Sequence, residues 1–375
     1  MFSPDQPDLE ATPRVGVVGA GISGLAVART LDERGAEVVV FESRSRVGGR
    51  LHGIQPAGAT ARLDLGATWF WPNEPRIQAL LADLGVAVHP QHLDGDALYH
   101  EPDRSRRLDG NPLDVPSGRF SDSGAALTEA LLATLPSATV RLDTPVQAIG
   151  HRGDRITIRH LGGELEVDHL VLALPPALAS HRLTFDPPLP DEIARLAATT
   201  PVWMGAYAKV VVTFTHPFWR DLGLAGSAIS HVGPMREIHD MSGPGGEPAA
   251  LFGFVPLAHG APTPDHDDIR RQLRTLFGAD APDPVSITIA DWSAEPDTSP
   301  PNVRALTAYE TFGHPAFQTP IDGRIHWSST ETSTIAPGHV EGALAAAERV
   351  ADAILPPSVP TAPTPTPTAS ESDTP

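Results

Sequence analysis

The chain has 375 residues, 41% of them hydrophobic, and a formal charge of -19 from 27 Lys plus Arg against 46 Asp plus Glu. That is apolar material for about two domain-sized cores, and the acidity argues against nucleic acid or an anionic membrane as main partner while favouring a cationic small substrate. With no cysteine, disulfides, thiolate metal sites, cysteine nucleophiles and a cysteine-tethered cofactor are excluded.

Residues 1–13 are rich in proline and acid and are expected to be a disordered lead-in. They carry no signal-peptide core, and no stretch approaches the ~20 apolar residues of a membrane span, so a soluble cytoplasmic protein is expected. Val15, Val17 and Val18 then form a buried-strand run. Gly19-Ala20-Gly21-Ile22-Ser23-Gly24 follows at dinucleotide-turn spacing. Gly19 serves the tight turn, Gly21 the close approach of backbone to a pyrophosphate, and Gly24 the packing of helix on strand. The helix after it presents free N–H groups and a positive dipole end to the phosphates. Glu37 to Phe41 is a second buried strand, and Glu42 stands at its end, where a carboxylate takes ribose hydroxyls. Ser43-Arg44-Ser45-Arg46-Val47-Gly48-Gly49-Arg50 then places a second bare backbone beside arginines able to pair phosphate bidentately.

Together V-G-A-G-I-S-G-L and E-S-R-S-R-V-G-G-R resemble the FAD-binding start of the flavin-containing amine oxidase family, the monoamine and polyamine oxidases. The resemblance implies a discontinuous Rossmann-like FAD-binding domain of α/β class with an inserted α+β substrate domain containing an antiparallel sheet. By it, Glu42 holds the adenosine ribose, Ser43 and Arg44 lie near adenine, and Gly49 and Arg50 run along the pyrophosphate. Leu63-Asp64-Leu65-Gly66-Ala67-Thr68-Trp69 resembles the family segment beside the isoalloxazine ring, Gly66 and Ala67 leaving room for it. The segment also reads as a strand ending in a turn, with Trp69 as core.

Pro75 to Leu84 reads as a helix by its apolar spacing. Val86 to Arg119 has no clear period, and its His89, His92 and His100 lack metal-ligand spacing and read as loop surface. Ser121 to Leu135 reads as helix and Thr139 to Val146 as strand, the latter resembling the family strand whose Val146 backbone meets adenine. Here the family carries a much longer helical insertion, and the shortened lid leaves the substrate class open. Ile156–His160 and Glu164–Leu174 flank Gly162-Gly163 as a hairpin. The expected division is 14–75, 117–175 and 320–355 for the FAD-binding domain, 76–116 and 176–319 for the substrate domain.

Lys209 is the one lysine among 27 basic residues. Opening a β-branched strand, it reads either as an edge-strand surface lysine or as a position where only a compact ammonium fits. The resemblance supports the second and makes it the lysine that holds a water at flavin N5. Runs at Leu251–Leu257 and Val285–Ala290, with a helix from Asp265 to Phe277, suit an antiparallel substrate domain. Trp292 matches the tryptophan after its last strand. Around Val303 to Tyr309 the family keeps an aromatic facing the flavin, where Leu306 falls in this chain.

Gly323 to Thr332 resembles the closing strand and G-T-E-T turn, with Thr330 and Glu331 at the ribityl or pyrophosphate region. Gly338-His339-Val340 opens a last helix whose positive end faces the flavin pyrimidine. His339 takes the place of a second aromatic and reads either as a group that assists deprotonation of a bound ammonium or as a packing and hydrogen-bonding residue. Residues 356–375, mostly Pro, Thr and Ser, are expected to be a disordered tail.

The implied chemistry is hydride transfer from a neutral amine to non-covalent FAD, with O2 as acceptor. A flavin dehydrogenase or desaturase of a biosynthetic intermediate, related to protoporphyrinogen oxidase or carotene desaturase, is the second reading. A non-catalytic FAD-binding protein is the third. The sequence implies no metal.

Overall fold

A computed structural model describes residues 12–57, 59, 61–136, 140–257 and 262–357; the expected lead-in up to residue 11 and the tail from residue 358 lie outside the described residues. Three strands of continuous apolar sequence, Arg14–Val18, Glu37–Phe41 and His169–Leu172, form the centre of a five-stranded sheet, because such strands must be covered on both faces. Val140–Arg141 and Ile325–Trp327 complete the sheet at its two edges, and every pairing in it is parallel. Helices Ile22–Glu33 and Val340–Ile354 cover one face through Leu25, Ala28, Leu344 and Val350. A four-stranded sheet of Val146–Arg152, Arg155–His160, Gly163–Val167 and Thr184–Asp186 covers the other, through Ile149, Ile156 and Ile158 packed on Val39 and Leu172.

The second half is built on a seven-stranded sheet in the order Ser286–Asp291, Tyr207–Phe214, Ala249–Pro256, Glu237–Asp240, Leu224–Ser230, Asp96–Glu101, Arg104–Leu108. Its pairs are antiparallel except Leu224–Ser230 with Asp96–Glu101, which run parallel. Helix His266–Phe277, capped by the Asp265 side chain, closes one face with Ile269, Leu273 and Phe277. The other face carries Val211, Phe252 and Phe254 toward Leu63, Leu65 and Trp69. It is this face that looks at the first half.

Several local expectations change. Val86 to Arg119 is not a loop: it supplies strands Val88–Pro90, Asp96–Glu101, Arg104–Leu108 and Gly118–Phe120. The pattern was hidden because Arg104–Leu108 is an edge strand carrying Arg104, Arg106 and Arg107 outward, a sequence that blocks further pairing rather than one that alternates. His100 is accordingly buried and bonded through Nδ1 to Ser230 Oγ at 3.1 Å, not surface. The helix expected from Ser121 is confined to Ala125–Ala133, since Ser123 adopts φ 57°. The strand expected over Thr139 to Val146 is two strands in different sheets, separated by Asp143 at φ 51°. The run Glu164 to Leu174 likewise divides at Asp168, whose carboxylate accepts from the Arg14 N–H at 2.8 Å and pairs with Arg155. Helix Pro75–Asp83 packs Ile77 and Leu81 into the nucleotide-side core, although the division at residue 76 groups it with the other half. No helix among the described residues is long and apolar enough to cross a membrane.

Candidate active site

A cleft of about 500 Å³ lies between the C-terminal ends of the parallel strands and the face of the seven-stranded sheet that looks at the first half. Ligands of open α/β sheets bind at such strand ends, where the chain order reverses about the first strand. Gly19 to Ser23 and Gly48 to Leu51 meet as paired turns, with Gly48 N–H donating to Ala20 O at 2.9 Å. A side chain at Gly21 would meet no atom within 4 Å, yet Gly21 lines the cleft. Space is therefore kept open over bare backbone. Helix Ile22–Glu33 begins there with no side-chain cap and no acid in its first turn, so its N–H groups are available to an anion.

Glu42 is buried at the strand end, where it accepts from the Ala20 N–H at 2.9 Å and the Arg44 N–H at 3.0 Å. Arg44 reaches across to Thr298 Oγ1 at 2.8 Å and to the Asp297 carbonyl at 3.3 Å. Ser23 bonds Ser328 at 2.8 Å, tying the first turn to the last strand. Gly24 lies behind the turn, where an added Cβ would sit 1.9 Å from Gly19 O.

Gly66 is fixed by contact with protein: its added Cβ would lie 1.7 Å from the Arg50 carbonyl. Ala67 N–H donates to that same carbonyl at 3.2 Å. The segment 66–69 is thus stitched to the second glycine turn. From the opposite side Lys209, buried, donates to Gly66 O at 2.9 Å and to Thr68 Oγ1, with its ammonium 4.4 Å from the Phe252 ring centre. Trp292 closes the segment by donating from Nε1 to Leu65 O at 3.0 Å.

Arg50 and Glu331 form a two-armed pair, Nη1 to Oε1 at 2.5 Å and Nη2 to Oε2 at 3.1 Å, and Glu331 also accepts from the Trp203 N–H at 3.1 Å. Glu331 is fully buried and stands behind Arg50 rather than on the cleft wall. Its carboxylate positions the guanidinium and takes no direct part in lining the site. Thr330 accepts from Gly338 N–H at 2.7 Å and donates to His339 O at 2.8 Å, setting the entry to helix Val340–Ile354, whose N-terminus also has no side-chain cap.

Residues 119–355 match the family described as flavin containing amine oxidoreductase, and residues 17–84 match the NAD(P)-binding Rossmann-like domain. The chain belongs to the flavin-containing amine oxidoreductase family. It is similar to the Mycobacterium tuberculosis protein named as a flavin-containing monoamine oxidase, AofH, with 28% identity over 91% of this chain and 96% of that one. Putrescine oxidase of Kocuria rosea is 25% identical over 88% of this chain and 92% of its own length. The solved structure of wild-type putrescine oxidase bound to putrescine superposes with a TM-score of 0.80, at 21% identity, over 92% of this chain and 99% of that one. That likeness is one of fold.

This oxidoreductase is FAD-dependent, and its own residues fit the group: an uncapped helix start over open glycine backbone, a buried carboxylate at the strand end, and an arginine held rigidly on a buried partner. Burial pushes the Lys209 ammonium well below the ordinary lysine range, and the Arg119 charge adds to that, against the pull of Asp64. Burial likewise pushes Asp64 up, opposed by Lys209 and by the Gly124 N–H. Glu331 is raised by burial but lowered more by Arg50, so it stays below the usual carboxylate range.

Of the residues expected from sequence, Gly19, Gly21, Ser23, Glu42, Arg44, Gly49, Arg50, Gly66, Ala67, Thr68, Trp69, Lys209, Trp292, Thr330, Gly338, His339 and Val340 line the oxidoreductase's cleft. Ala20, Gly24, Ser43, Val146 and Glu331 do not. Val146 packs instead toward the core between the five-stranded and four-stranded sheets. Leu306 faces away from the cleft into a cluster with Ala177, Val202 and Val303. Its neighbour in that cluster, Val202, carries Trp203 onto the wall, where an added Cβ at Gly338 would meet the indole at 2.7 Å. His339 stacks on Trp71 at 4.6 Å and bonds Glu74 through Nδ1 at 2.6 Å.

Trp71, Trp203, Tyr207, Glu237 and Phe254 line the cleft without having been singled out. For Glu237 and Phe254 the signal was register: Lys209 pairs with Phe254, and Phe254 with Glu237, so three residues scattered in sequence share one row.

Proposed function

We propose that the protein oxidises the C–N bond of a small amine, with FAD held non-covalently and O2 as acceptor. The observation that carries this reading is Lys209, a buried ammonium on the cleft wall, bonded to Gly66 O and Thr68 Oγ1. An ammonium has three donors, and two are spent fixing the segment that closes the cleft. The remaining N–H is available to hold a water. Bound FAD supplies the two-electron acceptor for the α-hydrogen of the amine. Trp69, Trp71, Trp203, Tyr207 and Phe254 supply apolar walls that exclude bulk water and orient the substrate. His339 has Nδ1 committed to Glu74, which leaves Nε2 to exchange a proton with the amine. The absence of cysteine supports non-covalent attachment.

The test is anaerobic stopped-flow of the holoprotein against an amine panel. Bleaching of the flavin by amines, with re-oxidation by O2 slowed by about 100-fold in Lys209→Met, supports the reading. Bleaching by dithionite but by no amine defeats it, and unchanged turnover and O2 steps in Lys209→Met defeat the role of the lysine.

A further inference from the structure

On the sheet side of the cleft stands one carboxylate that the chemistry above leaves unused. Glu237 is half exposed, lines the cleft, and lies in the same cross-strand row as Lys209, with Phe254 between them. Two strand spacings separate its backbone from that of Lys209, about 10 Å. Paired residues share a face, so both side chains project into the same space.

Glu237 is not left to find its own position. Its Oε1 lies 2.9 Å from His239 Nε2, while His239 Nδ1 lies 2.6 Å from Asp114 Oδ1. The His239 and Asp114 side chains are only 3% and 6% exposed. Trp69 packs edge-on to the imidazole at 4.9 Å and Phe252 against it at 5.3 Å. Asp114 is held in turn by Ser227 Oγ and by Asn111 Nδ2 at 2.8 Å. A neutral imidazole donates from one nitrogen only. Contacts from both nitrogens to carboxylate oxygens therefore describe an imidazolium, and the carboxylates on either side outweigh burial in raising His239 above its ordinary value.

The charge count decides what this chain can do. An imidazolium paired with Glu237 alone would cancel its charge. Asp114 balances the imidazolium, so Asp114, His239 and Glu237 together keep one net negative charge, and it is presented at the cleft wall. Among the described residues no arginine or lysine forms an ion pair with Glu237.

We infer that Glu237 is a second substrate subsite, fixed by His239 and Asp114 as positioning residues, and that the preferred substrate is an amine with a further cationic nitrogen at its far end. This rests on the amine reading above and narrows it. The reacting nitrogen is placed near Lys209 and Thr68, and the distal ammonium donates to Glu237.

The experiment compares 1,n-diaminoalkanes with n-alkylamines of equal chain length on the holoenzyme. The wild-type ratio of kcat/KM, diamine over monoamine, is expected to exceed one and to peak at one chain length. Glu237→Gln should lower that ratio about 10- to 100-fold, the worth of a hydrogen bond to a charged group, through KM rather than kcat. Asp114→Asn should lower it less and also through KM, while Asp114→Glu restores part of it. Ratios unmoved in both Glu237→Gln and Asp114→Asn would overturn the subsite.

A second readout does not need turnover: thermal stabilisation of the oxidised holoprotein by a diamine, relative to the matched monoamine. If no amine is oxidised but a diamine-specific shift is present and lost in Glu237→Gln, the subsite stands and the amine oxidation reading falls. If amines are oxidised and neither ratio nor shift depends on Glu237, the reverse holds.

Discussion

The two halves of the cleft are made by different means. The parallel-sheet half offers backbone: glycine turns, uncapped helix starts and a carboxylate whose bonds go to the backbone N–H groups of Ala20 and Arg44. The antiparallel half offers side chains brought together by strand register, Lys209, Phe254 and Glu237 in one row and Phe252 and His239 in the next. Backbone sites need few particular side chains, but Gly24 and Gly66 leave no room for an added Cβ. Register sites depend on individual side chains and on the groups that hold them.

The largest contrast should come from Lys209→Met, which removes a side chain from the register half. Turnover is expected to fall about 100-fold with flavin content unchanged, measured by steady-state rates and by the bound flavin spectrum. Arg50→Ala should do the opposite, acting on the fold and on cofactor retention. It leaves Glu331 buried without its partner, a loss of about 3–5 kcal/mol, to be read from denaturant midpoints of the apoprotein. A loss under about 1 kcal/mol would show that the clamp is not what closes the first half. Gly66→Ala drives a Cβ into the Arg50 carbonyl and is expected to cost about 1–3 kcal/mol, with weaker flavin binding as the second readout.

The smallest effect tests the register half by pH. His239 is raised in the fold, so its contribution to stability is fully present below the unfolded value of ~6.5 and is lost as pH rises through the folded value. The stability gap between wild type and His239→Gln should therefore be widest in acid and narrow toward alkaline pH. A gap independent of pH would mean that the imidazole is neutral between Asp114 and Glu237.

The same contrast explains what was legible in the sequence. Gly19, Gly21, Glu42 and Arg50 stand within one contiguous stretch, so a local pattern carried both the element order and the site. Lys209 was legible by composition, as the single lysine. Glu237 was not, because nothing near it in sequence says that Phe254 will sit between it and Lys209. Leu306 was assigned to the cleft by register within its segment, and it lies with Ala177 and Val303 because the 3-10 turn Val303–Ala305 directs it inward. The hairpin of Asp96–Glu101 and Arg104–Leu108 was missed for a related reason: one of its strands is written for solvent and arginine, and the other pairs with Leu224–Ser230, over a hundred positions away.

One feature of the first half bears on how the molecule comes into being. The glycine turns are encoded within the opening fifty residues, but the sheet edge Ile325–Trp327, the Glu331 anchor of Arg50 and the helix Val340–Ile354 come from the other end of the chain. A nascent polypeptide emerging from the ribosome has its signature motif long before it has a closed nucleotide cleft. Cofactor loading is accordingly expected to wait for residues 325–354 rather than to accompany the glycine turns, and chains stalled before residue 325 should emerge colourless.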